Sequence, residues 1–252
     1  PNGVPCSFGD VNHFGLHPIQ YALAERFRRP DILPRVDAFA RTAQGAPPRL
    51  SGWPVDAELL LLHPRRMVRP PKPRRNVLRH YPGMDWFFLA DRWPEPGFYV
   101  SIRGGTTEVP HGHLDLMSFH AVVGREGLIR NLIGSEYLDT TFSPRRYELP
   151  EMTPACKNSL LVNGVGIAKP ASVASRILHL NGCAAIRLDA TSAMGASRSA
   201  KPFRFCGRLF VWLDGRGLAI LDVVDQVHFG RAECRFHTLG HIRTAGESRA
   251  LL

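Results

Sequence analysis

The sequence predicts a mainly β protein: an antiparallel β-sandwich preceded by a few helices. Three observations carry this expectation. From about residue 84 onward, eight short segments rich in β-branched or aromatic residues follow one another: 98–102, 118–123, 127–132, 159–162, 184–188, 209–212, 218–223 and 233–238. Gly, Pro, Asn or Asp often bounds them, and no helical pattern intervenes, which is how consecutive antiparallel strands read. The first sixty or so residues instead show helical spacing.

The helical part starts with Leu16, Ile19, Leu23 and Phe27, spaced three or four apart, with Arg26, Arg28 and Arg29 before the stop at Pro30. A second helix is expected at about 32–43 and a third at 55–62, behind Pro54. Three short helices without a partner layer do not bury a core, so they are expected to be the remnant of a larger, truncated helical domain. Between 64 and 80, Pro64, Pro70, Pro71 and Pro73 interrupt seven basic residues. Proline removes backbone donors and keeps such a run extended, so the stretch reads as a solvated linker. The expected organisation is helices over 1–63, a basic Pro-rich linker over 64–83 and a sandwich over 84–252. Within the sandwich, Asp214-Gly215 marks the clearest hairpin.

Composition narrows the chemistry. Lys and Arg number 32 against 22 Asp and Glu, a net charge of +10, and arginine supplies nearly all of the excess. Guanidinium forks suit planar carboxylates and sulfates, and a basic cleft attracts polyanions, nucleic acid included. The basic run lacks interleaved aromatic residues, so it offers no stacking platform for bases. No apolar run is long enough for a transmembrane helix. Five cysteines, an odd number, are widely scattered without metal-ligand spacing and read as free, mostly buried thiols.

The most informative motif is His111-Gly112-His113-Leu114-Asp115. In an extended segment the side chains at i, i+2 and i+4 share a face, so both imidazoles and the carboxylate can meet one ligand or metal. Imidazole exchanges protons near neutrality and binds zinc when neutral. Around it stand Tyr99–Gly105, Leu116-Met117-Ser118-Phe119, Gly134 with Tyr137, Arg145-Arg146-Tyr147 and Asn158–Gly164, in that order. In order and content this series resembles the C-terminal part of heparinase II/III-like polysaccharide lyases, with their HGHxDxxSF and HNTxxVxG elements. Phe8-Gly9-Asp10-Val11-Asn12 is similar to a glycine-aspartate element near the end of that family's helical toroid.

The resemblance implies a sandwich preceded by the end of a truncated α/α toroid, acting on a uronic acid-containing polysaccharide by β-elimination in the periplasm or cell envelope. It implies His111 as the catalytic residue, facing a cleft, with Arg145 and Arg146 contacting a substrate carboxylate or bracing the site through Glu148 or Glu136. It also implies a zinc ligand at His113. The other two family ligands are departed from: Asn131 or a neighbour stands where an aspartate is expected, and Lys157 where a histidine is. An ammonium has no lone pair to offer, so no cofactor is expected. Lys157 is read either as a solvated edge residue or as filling the metal's space, paired with Asp115 or Glu136. Tyr137 is expected to pack in the core. The alternatives are a noncatalytic glycan-binding sandwich that has lost the metal, and a nucleic-acid-binding protein using the basic stretch.

Overall fold

The computed structural model describes residues 8–10, 18–34, 36, 61–64, 72–134, 136–194, 203–227, 230–244 and 250–251. The chain divides into two units, His13–Arg74 and Pro1–Asn12 with Arg75–Leu252.

In the smaller unit, helix α1 spans Ile19–Arg26 and a 3-10 turn follows at Pro30–Ile32. The helix is where the spacing puts it, but its buried face is not the predicted one. Tyr21 and Ala24 pack with Leu33 and Val36, while Ile19, Leu23 and Phe27 are exposed. The turn at Pro30 brings Leu33 and Val36 against the Tyr21 side, and this tertiary partner overrides the local pattern. The second and third expected helices lie mostly outside the described residues.

The larger unit is built on two five-stranded antiparallel sheets. The first has the order β1-β2-β3-β5-β6, with β1 at Arg74–Tyr81, β2 at Trp86–Trp93, β3 at Phe98–Arg103, β5 at Phe119–Val123 and β6 at Glu126–Ile129. The second has the order β11-β10-β9-β8-β4. Its strands are β4 (Gly105–Thr106), β8 (Ser172–Leu180), β9 (Cys183–Asp189), β10 (Phe203–Trp212) and β11 (Leu218–Gln226). Two short pairs complete it: β7 (Leu160–Val162) with β12 (Ala232–Cys234), and β13 (Arg243–Thr244) with β14 (Ala250–Leu251).

Alternation explains the layering. Phe87 and Leu89 of β2, Val100 and Ile102 of β3 and Phe119 of β5 share one cluster with Ile186, Leu188, Phe210 and Trp212 of the second sheet. Residues of opposite parity, Ala90, Tyr99 and Val122, gather with Val77 in a smaller cluster. Truncating one of the large aromatics to alanine costs about 3–5 kcal/mol. Two hairpins close on left-handed residues, Asn181-Gly182 between β8 and β9 and Asp214-Gly215 between β10 and β11, the geometry that matches strand twist.

Strand structure begins at Arg74, inside the stretch read as linker. Only Val77 of β1 is buried, so an edge strand with one inward side chain looks like a polar spacer in sequence. Residues 65–71 lie outside the described residues. The expected strands at 127–132 and 233–238 stop early, at Ile129 and Cys234, because the backbone beyond them bonds to the loops of the site: the Leu132 amide donates to the Cys156 carbonyl, the Leu132 carbonyl accepts from Lys157, and the His237 amide donates to Asn158 Oδ1. Of the four cysteines described, all free, only Cys206 is buried.

Candidate functional site

Two close backbone approaches build the site. Gly9 and His111 both have positive φ, and the Asp10 amide donates to the His111 carbonyl at 3.1 Å. A side chain at Gly9 would bring a Cβ to 2.5 Å from that carbonyl, so only glycine lets the two segments touch. Gly112 is similarly enclosed, its own Cβ position lying 2.8 Å from Val109 Cγ2. Asp115 fastens the same junction. It accepts from the Gly9 amide at 3.0 Å and pairs with Arg103 at 3.0 Å, both side chains buried.

Asp10 is the hub. Its Oδ2 lies 2.9 Å from His111 Nδ1, and its Oδ1 lies 2.8 Å from His113 Nε2 and 2.5 Å from an Arg146 guanidinium nitrogen. Burial by itself pulls this carboxyl's pKa up, but the hydrogen bonds from Arg146, His111 and His113 outweigh it and hold the group below the usual carboxylate range. Asp10 is therefore an anion with each oxygen assigned.

The two histidines meet opposite environments. The His113 side chain is 2 % exposed and that of His111 is 58 % exposed. Behind His113, Lys157 Nζ lies 2.9 Å from Nδ1 and donates to the Leu132 carbonyl at 3.1 Å. An ammonium can only donate, so Nδ1 carries the lone pair and Nε2 carries the hydrogen that faces Asp10. Burial, then the Lys157 charge, push the His113 pKa down to about 4, and burial pushes Lys157 down to about 8. His113 is thus neutral in a single tautomer. Lys157 is fully buried rather than a solvated edge residue; it hydrogen-bonds to His113, and Asp115 is the leading charge that favours its ammonium.

On the exposed side, His111 meets Phe142 edge-on at 5.5 Å between ring centroids, and Phe142 meets Tyr137 at 4.9 Å. Both rings are largely exposed, so Tyr137 is not the core residue expected of it. Arg146 holds this loop by donating to the Thr141 carbonyl at 2.9 Å and to the Gly112 carbonyl at 3.2 Å. Arg145 is exposed and pairs with Glu148 at 2.9 Å.

Asn158 and Asn163 serve buried backbone and turn groups. Asn158 donates to the Phe119 carbonyl at 2.9 Å and accepts from the His237 amide at 2.6 Å, while Asn163 accepts from the Arg231 amide at 2.8 Å. Beneath lies Arg208, which sequence reasoning passed over. It forks onto Asp222 at 2.6 and 2.8 Å and donates to the Met117 and Asn158 carbonyls at 3.1 and 2.8 Å.

The residues present do not fit the zinc ion that the resemblance implies. Both His113 nitrogens are engaged, Lys157 offers no lone pair, and Asn131 donates to Ser118 Oγ at 3.0 Å while accepting from the Asn158 amide at 2.9 Å. Among the described residues, no group of three or more His, Cys, Asp or Glu is arranged to hold a metal.

No protein-family model and no curated protein matches the chain. Solved structures do. Over 96 % of its length the chain superposes on 32 % of a heparinase III, with a TM-score of 0.65 and 12 % identity. Over 89 % of its length it superposes on 40 % of the heparan sulfate lyase HepC from Pedobacter heparinus, with a TM-score of 0.52 and 10 % identity. The chain thus spans about a third of the first protein and two fifths of the second. No described helix is long and apolar enough to cross a membrane. The described residues therefore have a polysaccharide lyase-like fold with a mainly β, sandwich architecture.

Proposed function

We propose that the chain is part of a lyase that cleaves an acidic, uronic acid-containing polysaccharide by β-elimination, in the periplasm or cell envelope, with His111 as the catalytic residue. One observation carries the proposal above the rest. In a fold shared with lyases, the exposed imidazole of the His-Gly-His element is oriented by a buried anion, Asp10, whose other oxygen is fixed by His113 and Arg146. In β-elimination a base removes the proton on C5 of the uronate, the electrons form a C4=C5 double bond, and the bond from C4 to the glycosidic oxygen breaks. That oxygen then takes up a proton. Neutralising the uronate carboxylate makes the C5 proton acidic enough to remove.

With its Nδ1 hydrogen held by Asp10, neutral His111 presents a lone pair on Nε2. It is suited to exchange a proton or, when protonated, to donate to the carboxylate. Arg146 is a positioning residue, since Asp10 and two loop carbonyls engage its guanidinium. Arg145, exposed beside the same loop, would meet a substrate carboxylate by exchanging Glu148 for it. Phe142 and Tyr137 offer their faces to the apolar side of a sugar ring. Asp10, Asp115, Arg103, Arg146 and Lys157 give two anions against three cations, which favours an anionic ligand.

The test is the ultraviolet absorbance of unsaturated uronate ends when the complete protein is offered a panel of acidic glycans. Product from at least one glycan, lost in His111→Ala, is expected. Retention of a glycan with no product from any of them would instead support a noncatalytic binding sandwich.

A further inference from the structure

We propose that the Lys157 ammonium is a built-in cation that takes the place of a bound metal ion at His113 and, through that ring and Asp10, positions His111. The geometry points to it directly. Lys157 Nζ, His113 and Asp10 form one line of hydrogen bonds, with the cation 2.9 Å from Nδ1 and the carboxylate 2.8 Å from Nε2. In metal centres, a cation on one imidazole nitrogen polarises the ring and makes the opposite N–H a stronger donor to a carboxylate, fixing tautomer and orientation together. An ammonium does the same work by donating a hydrogen bond, with no ligand set to assemble.

Burying a lysine is costly, because the charge leaves water. A side chain that only filled space would be an apolar one. Here the charge is fully enclosed and set among named groups: Asp115 and Glu151 favour it, Arg103 opposes it, and the Leu132 carbonyl accepts from it. Its short contact to His113 leaves that ring one tautomer. That tautomer claims Oδ1 of Asp10, so Oδ2 faces His111 alone. Asn131 completes the exclusion of a metal. Its amide is locked between Ser118 and the Asn158 backbone, so it is not a free ligand for a divalent ion.

The proposal stands apart from the lyase assignment, and its experiment needs no substrate. Metal analysis of the complete protein, followed by titration with zinc, is expected to give well under one equivalent per chain. Nitrogen-proton spectra of the imidazoles at neutral pH are expected to show His113 as the pure Nε2–H tautomer, with a cross-peak between the Lys157 ammonium and the His113 ring. In Lys157→Met, of similar length but uncharged, His113 is expected to lose that single tautomer and the His111 Nδ1 signal to shift or broaden with it. Stoichiometric zinc in the wild type, or absence of the ammonium–ring cross-peak, would overturn the proposal even if Lys157→Met does not fold. Unchanged His113 and His111 signals in a folded Lys157→Met would overturn the positioning role.

Discussion

His113 and His111 are one glycine apart and touch the two oxygens of a single carboxylate, yet one ring is sealed between Asp10 and Lys157 and the other borders solvent beside Phe142. Sequence alone makes them equivalent. Burial separates them: the enclosed ring is neutral and committed at both nitrogens, while the exposed ring has one nitrogen held and one for chemistry. The buried floor of Asp10, His113, Lys157 and Arg146 is packed and paired, and in the proposed lyase the exposed rim of His111, Arg145 and Phe142 would meet the ligand. Floor substitutions should therefore damage stability and activity together, whereas rim substitutions should affect chiefly function.

The largest effect is expected from Asp10→Asn. Arg146 would keep its charge without the anion that offsets it, and breaking a buried pair in this way costs about 3–5 kcal/mol. Elimination should fall by about 10²–10⁴-fold, since an amide no longer fixes the His111 tautomer. Urea unfolding and product absorbance check the two losses. His111→Ala should give an activity loss of similar size, about 10²–10⁴-fold, with a smaller stability loss of about 1 kcal/mol, because its ring is mostly in solvent and only its hydrogen bond to Asp10 is lost. A large stability loss in that variant would erase the distinction between floor and rim.

The floor also sets a pH dependence. His113 has a pKa of about 4 when folded, below the ordinary histidine value of 6.5, so as pH falls the unfolded chain takes up the proton first. The contribution of His113 to stability is therefore complete above about pH 6.5 and declines by about 3 kcal/mol as pH drops to 4, where the folded state titrates too. Asp10, held below the carboxylate range, adds a further loss at still lower pH. Lys157 gives the opposite margin: with a folded value of about 8 against 10.5, stability rises as pH climbs between them. Denaturant midpoints across pH in the wild type and His113→Gln check the acidic limb, which should flatten in the variant.

The smallest effects belong to the outer rim. Phe142→Ala should raise KM by about fivefold, losing a ring contact worth roughly 1 kcal/mol, with kcat little changed. Arg145→Ala should raise KM several-fold and weaken the salt dependence of binding, as expected when an exposed charge is removed.

Much of the sheet framework was legible, because inward side chains such as Val100, Ile102, Phe210 and Trp212 alternate or cluster between turn residues. The His-Gly-His element and the paired arginines stood out for the same reason: they are local. Asp10 was visible only as part of a short glycine-aspartate motif, since its contacts to His111, His113 and Arg146 span more than a hundred residues. Nothing local tells a buried lysine from a solvated one, so Lys157 had to be seen against His113. The edge strand β1 and the reversed face of α1 were misread because tertiary partners, not spacing, decide what one inward side chain meets. Arg208 was recoverable in principle. The Asp214-Gly215 turn fixes a register that sets Arg208 opposite Asp222, an ion pair across the hairpin.

The most direct measurement compares unsaturated-uronate formation by the complete wild-type protein and its His111→Ala variant on the same acidic glycan, with unfolding curves alongside. The account predicts product from the wild type, a loss of at least about a hundredfold in the variant and an unfolding transition weakened by only about 1 kcal/mol. Wild-type rates from a folded His111→Ala, or no product from the wild type on any acidic glycan, would contradict it.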